Sequence, residues 1–275
     1  SDLLISDPSN PITTSIPGAT GSGTTTVAVP LSAVTGSQII VNTGRRDDSI
    51  TFDATFNPGI TLGVRVADES GSDTVNWESA HAVASLSINA DAINQNANST
   101  TSGNQSWNGP VTLGDNVSAS GASIAYAGTV DGVGLALTAT EAVDFQGAGG
   151  AASPLASLNE TSNQLFFADN VTVIGSGLIA SATGTIHVDG RLTALGTAPV
   201  YLTTAGKIVL PADSEIGSLS GDITLSANAG GTTSGSFTGI EANRTRISST
   251  AGDIRLVAQS GSDGGLGVVL ANSTI

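Results

Sequence analysis

The sequence predicts an all-β fold, a right-handed parallel β-helix (β-solenoid) with irregular coil lengths and insertions at its corners. Three observations lead there. Windows with helical spacing of apolar residues are rare, while short runs alternating apolar and small polar residues recur along the chain. One eight-residue phrase also appears four times, as TGTIHVDG from Thr183, AGKIVLPA from Ala205, SGDITLSA from Ser220 and AGDIRLVA from Ala251.

The composition supports strands over helices or disorder. Of the 275 residues only 11% are charged and 4% aromatic, while 35 are glycine, and Val, Ile and Leu recur throughout. Disorder would bring few aliphatics and much charge. The best helical window, WESAHAVASLSINADAI (77–93), loses its period to strict alternation at ASLSINA. Strand runs follow one another instead: TTTVAVPL, SQIIVNT, DSITFDA and GITLGVRVA early, GPVTL, ASIAYAG, QLFFA and VTVIG in the middle, VYLTT, KIVL, DITLSA and DIRLVA late. In a strand, Ile-x-Leu-x-Ala sends the aliphatics to one face and the small polar residues to the other.

Repetition separates a solenoid from a sandwich or barrel. The four phrase glycines, Gly184, Gly206, Gly221 and Gly252, lie 22, 15 and 31 residues apart. The phrases from Gly239 and Gly267 align at a spacing of 28, and Asp48 and Asp73 at 25. Recurrence at this interval marks stacked coils. Each coil seals its apolar inside only against its neighbours, so one slot meets the same surroundings on every turn. Such a slot asks for Ile and Leu inside, for Gly at a tight corner where φ is often positive, for a small residue where neighbouring turns crowd, and for Asp or Asn able to bond to adjacent backbone. Along the chain, residues 1–37 read as an entry segment or the end of a preceding module. Residues 38–80 read as coils with an Asp-Asp phrase, and 81–275 as further coils that continue beyond the last residue.

Charge and cysteine content narrow the function. The formal net charge is −15, and the only basic residues besides His are Lys207, Arg45, Arg46, Arg65, Arg191, Arg244, Arg246 and Arg255. Phosphate backbones and anionic membranes need clustered positive charge, so nucleic-acid binding and membrane insertion are not expected. No apolar run approaches a membrane span. With no cysteine, neither disulfides nor thiolate metal sites hold the fold. An acidic, cysteine-free chain rich in Thr, Asn and Gly points to a secreted bacterial surface protein. The first residues lack a basic and apolar leader, and the sequence reads as a window on a longer protein.

The stretch from Gly103 to Leu158 then becomes specific. Gln105 with Trp107–Leu113 gives a glutamine–aromatic–Asn-Gly-Pro-Val-Thr-Leu phrase, followed by Gly-Thr-Val-Asp-Gly at Gly128–Gly132, Val-x-Phe at Val143–Phe145 and Pro-Leu-Ala-Ser-Leu at Pro154–Leu158. This resembles the repeat unit of filamentous-haemagglutinin-like adhesins, and the GDITLSA and GDIRLVA phrases are similar to coils of the same proteins. Residues 38–77 resemble another repeat of large secreted proteins, with a VNTGxGDDxLTVD phrase, from which Arg45 and Arg46 depart. The resemblance implies an exported, extracellular cell-surface β-helix that works as an adhesin shaft or stalk. Its partners would be cell-surface or matrix glycans or proteins. Self-association into a fibre or sheath is the alternative. No enzyme activity is implied.

Candidate sites are few. Asp47, Asp48 and Asp53, with Asp68, Glu69 and Asp73 about one coil later, would stack along one rim if the coils are in register, where Ca²⁺ is the cofactor that would relieve their repulsion. The Gly-Gly-x-Gly-x-Asp calcium repeat is not met, and solvated turn acids explain the cluster as well. His81 and His187 lie in no nucleophile motif. Arg65 with Asp68 and Asp73 is the only cluster suited to a polysaccharide-cleaving site of the kind some β-helices carry, and corner acids on a strand rim explain it as well, so a catalytic role is not expected. Trp77, Trp107, Phe166 and Phe167 are the contact candidates. Aromatics on a sheet more often plug the core, Trp107 fits a corner, and of the adjacent Phe166 and Phe167 one must point out.

Overall fold

The computed structural model describes residues 2–6, 11, 13–33, 36–42, 45–54, 56, 62–68 and 70–275. Their strands form a β-solenoid of parallel stacked sheets. The coils present three lateral faces, in most coils with a short strand on each, as in Thr185–Val188, Arg191–Ala194 and Val200–Thr204. In the middle coils Val117–Tyr126, Gly134–Phe145 and Val171–Ala182 run on from one face to the next, and at Gly149 the second face is a single bridge. The first face is a ladder running from Gln38–Asn42 through Gly63–Ala67, Leu86–Asn89 and Gln105–Asn108 to Lys207–Leu210, Ile240–Asn243 and Val268–Ala271, without a break in pairing. The second face begins at Ser49–Phe52 and passes through Thr74–Trp77, Ala92–Gln95 and Val111–Leu113 to Glu215–Ser218 and Arg246–Ser249. The third runs from His81–Val83 to Ile254–Ala258. Ladders cross position 80, since Val64 pairs Leu86 and Trp77 pairs Gln95. The one antiparallel pair of strands among the described residues, Asp2–Ser6 with Thr26–Pro30, precedes the first coil.

Register explains the repeated phrase. Thr185 pairs Lys207 on the first face, so the phrases of Gly184 and Gly206 fill one slot on successive coils. Ile223 pairs Ile254 on the third face, so those of Gly221 and Gly252 do the same there. The spacing of 15 between Gly206 and Gly221 is therefore no coil. It is the step from one corner to another within a single turn. Ile240 pairs Val268 and Ser49 pairs Thr74, as the spacings of 28 and 25 require. Coil length ranges from 18 residues between His81 and Ser99 to 32 between Ile208 and Ile240.

The expected reason for the phrase glycines needs correcting. None of the four has positive φ. A Cβ on Gly206 would collide with the carbonyl oxygen of Gly184, and one on Gly252 with that of Gly221, so close approach of stacked corners is what excludes a side chain. Asn and Asp do bond across coils. Asn98, Asn116, Asn170 and Asp222 each accept, through Oδ1, the backbone N–H of a residue one coil on: Ser118, Gly134, Arg191 and Asp253, at 2.7–2.9 Å.

Inside the prism runs one continuous apolar column. On the first face a single inward slot holds Val66, Ile88, Trp107, Tyr126, Phe145, Phe167 and Val188 in register, all buried. The four rings from Trp107 to Phe167 stack nearly parallel, with centroids 6.2, 5.6 and 5.4 Å apart. Trp77, from the second face, meets Trp107 edge-on at 6.0 Å and His81 at 4.8 Å.

Candidate functional site

The acidic rim forms partly as its spacing implies, and the carboxylates serve the backbone. Asp47 accepts from Ser72 N–H and Asp73 from Asp48 N–H, both through Oδ1 at 2.9 Å, so each tethers its coil to the neighbouring one. Asp73 N–H in turn donates to Asp91 at 2.9 Å. Asp91 extends the stack by one coil, and its place before Ala92, in register with Thr74, is a signal the spacing of the other acids did not supply. Asp53 lies exposed beyond Phe52. Glu69 lies outside the described residues. The enclosure of its Oδ1 atom, then a hydrogen bond with Asp73, then the charges of Asp73 and Asp91 raise Asp68 above the usual carboxylate range. Among the described residues no three His, Asp or Glu side chains converge where they could hold a metal ion. Arg65 points outward from the first face, while Asp73 is enclosed.

Three of the four aromatic contact candidates are corrected by burial. Trp77, Trp107 and Phe167 are at most 1% exposed and belong to the core. Their faces are covered by rings of adjacent coils, so no sugar can stack on them. Phe166 is the outward partner of Phe167. It is half-buried and lies against the His187 ring one coil on, centroids 6.1 Å apart, and His187 Nε2 sits 2.7 Å from Asp189 Oδ1. This is the one outward-facing aromatic pair among the described residues, on an open sheet face.

Polar groups inside the column are of two kinds. Gln95, Ser99, Gln105 and Tyr126 form a satisfied network. Ser99 Oγ donates to Gln105 Oε1 at 2.8 Å, Gln105 Nε2 to the Ser120 carbonyl at 2.7 Å, and the Tyr126 hydroxyl to Gln95 Oε1 at 3.2 Å. Glu160 is different. It points inward, in register with Leu137 before and Ala180 after, is 3% exposed, and neither carboxylate oxygen has a hydrogen-bond partner. Ser162, the next inward residue along the strand, donates its hydroxyl proton to the Gln164 carbonyl at 2.8 Å. Burial pushes Glu160 up to about 7; Ser162 and the Ser181 N–H lie close enough to offset part of that, but neither makes a well-formed hydrogen bond to the carboxylate.

The lateral faces carry shallow depressions. One, of about 400 Å³, is lined by Asn116, Ser118, Gly134 and Ser157. Another, of about 380 Å³, lies among Thr183, Thr203, Ser226 and Asn228 at a corner. A third, of about 260 Å³, lies on the second face beside a ladder of charges that sequence reading missed. There Glu215 stands between Arg191 and Arg246, which pair with it at 3.3 and 3.5 Å. In comparisons with known proteins, the chain matches no family model, no curated protein and no solved structure.

Proposed function

We propose that this chain is the shaft of an extracellular bacterial attachment protein, a stiff rod that carries binding surfaces on its flanks. The observation that carries the reading is the unbroken first-face ladder from Gln38 to Ala271 over a single apolar column. Backbone hydrogen bonds run along the rod axis, so a load along that axis is shared by three ladders. The flanks are rows of Ser, Thr, Asn and Gly. On the second face, for example, Asn94 donates to Asn76 at 2.8 Å and Asn76 to Ser49 at 3.3 Å, one side chain above another. Such surfaces stay soluble and offer many weak contacts, which sum to firm attachment when multiplied along a rod. The likeness of residues 103–158 to haemagglutinin-like repeats supports the same reading, as does the acidic, cysteine-free composition.

The test is display on the surface of a non-adherent bacterium, with binding to immobilised host glycans and matrix proteins measured under flow. Attachment above that of cells displaying an unrelated rigid rod is the expected result. Equal retention of both would overturn the attachment role while leaving the rod intact.

A further inference from the structure

We propose that the depression on the second face, between the strands of Arg191–Ala194, Glu215–Ser218 and Arg246–Ser249, binds a carboxylate-bearing sugar. The arginines come from different coils, 24 residues before Glu215 and 31 after it, and register alone brings them together. Of eight basic residues in a chain of net charge −15, two share one carboxylate here, which leaves a local excess of positive charge. Arg191 reaches Glu215 through Nε and Arg246 through Nη1. A guanidinium has five N–H donors, so both arginines, 54% and 64% exposed, keep terminal donors for a second acceptor.

The rest of the depression has the chemistry of a sugar subsite. Gly217 lies in register between Thr193 and Ser248; it is itself buried, but a Cβ built on it meets nothing closer than Glu215 Oε1 at 3.9 Å, so no side chain fills the space between the two hydroxyl residues. Leu219, 54% exposed, closes the far end and offers an apolar edge to the less polar face of a ring. Four residues of strand at ~3.3 Å and two strand spacings at ~4.8 Å give a footprint of roughly 13 by 10 Å. With a volume of about 260 Å³ this admits one sugar unit of a longer chain. A carboxylate would bridge the two guanidiniums in competition with Glu215, while ring hydroxyls exchange hydrogen bonds with Thr193 and Ser248. An acidic peptide would use the arginines but leave the two hydroxyls without a role.

The site gives the attachment reading a ligand class and rests on it only for its biological use, since binding is measured on the whole isolated chain in solution. The experiment is a backbone-amide NMR titration with sodium glucuronate, glucose and a short glutamate peptide. Glucuronate is expected to shift the amides of Thr193, Gly217 and Ser248 at millimolar concentration, with glucose and the peptide far weaker. Arg246→Gln should weaken glucuronate about fivefold, the loss of one exposed charge-assisted contact. Glu215→Gln removes the competing carboxylate and should tighten binding about threefold, which a merely structural Glu215 would not do. Equal response to glucose, a stronger response to the peptide, or weaker binding by Glu215→Gln would each overturn the proposal. Adhesion failing in the display assay with glucuronate binding intact would count against the attachment role alone.

Discussion

Glu160 makes the stability of the solenoid depend on pH, with a sign and size fixed by its surroundings. Its carboxyl group lies in the apolar column, in register with Leu137 and Ala180, without a hydrogen-bond partner. Burial raises it from 4.5 to about 7. Between those values the folded chain keeps a proton that the unfolded chain has released, so stability falls as pH rises through that window and levels off above it. The interval is about 2.5 pH units, and at 1.36 kcal/mol per unit the total is about 3 kcal/mol. Glu160→Gln keeps the shape and removes the titration. Glu160→Leu also restores the apolar type of Leu137 and of Leu202, which pairs with Ala180.

Equilibrium denaturant unfolding, followed by far-ultraviolet circular dichroism from about pH 4.5 to about pH 8, reads the effect. Glu160→Gln and the wild type should be nearly equal at the acid end and diverge by about 3 kcal/mol, the variant more stable, above pH 7. Buried His81 is lowered by its enclosure and acts in the opposite sense, costing stability as pH falls below its ordinary value. Both proteins carry it, so it cancels in the difference. A constant difference across the range would refute the claim that Glu160 is enclosed and unpartnered.

Two further predictions follow from packing. Gly206→Ala, whose methyl group would meet the Gly184 carbonyl, should destabilise by about 3 kcal/mol or prevent folding. Gly196→Ala, at φ 63° with open space around it, should cost only about 1 kcal/mol by thermal or chemical denaturation, and similar losses at both positions would contradict the close-approach account. Phe145→Ala, removing the ring between Tyr126 and Phe167, should cost about 3–5 kcal/mol in the same assay, and a loss below about 1 kcal/mol would mean the stack is not continuous.

What the sequence made legible follows from a strand's period of two and a coil's constant cross-section. DITLSA and DIRLVA state their own inside and outside, and stacking turns them into one slot. The same parity could have placed Glu160. In LASLNETS it is in phase with Leu158 and Ser162, which puts it inside. It could also have separated Phe167, in phase with Leu165, from Phe166. Trp107 gave no such signal, because its in-phase neighbour is Gln105, whose inward turn depends on partners from the coils around it. The Arg191–Glu215–Arg246 ladder was illegible for another reason. Its members lie at unequal sequence intervals, and only the pairing shows which residues share a row.

Those unequal intervals have a physical origin in the corners. Thr204 and Lys207, between the third and first faces, are three positions apart, whereas Ala227 and Ile240 one coil later are thirteen apart, yet Ile208 and Ile240 remain in register. Roughly quadrupling a corner's length adds only about 1 kcal/mol of closure entropy. Side-chain bonds oppose that cost. Asn228 donates to the Ser260 carbonyl at 2.7 Å, Gln259 to that of Ala229 at 2.9 Å, and Thr233 to that of Ala205 at 2.6 Å. Shifting a strand by one residue would instead turn Ile208 or Ile240 out of the column and a polar neighbour in, at about 1.5–3 kcal/mol for each aliphatic side chain exposed. The core therefore fixes the register of every coil while the corners and outward rows vary at small cost, and a solenoid built this way can change its surface without changing what holds its coils together.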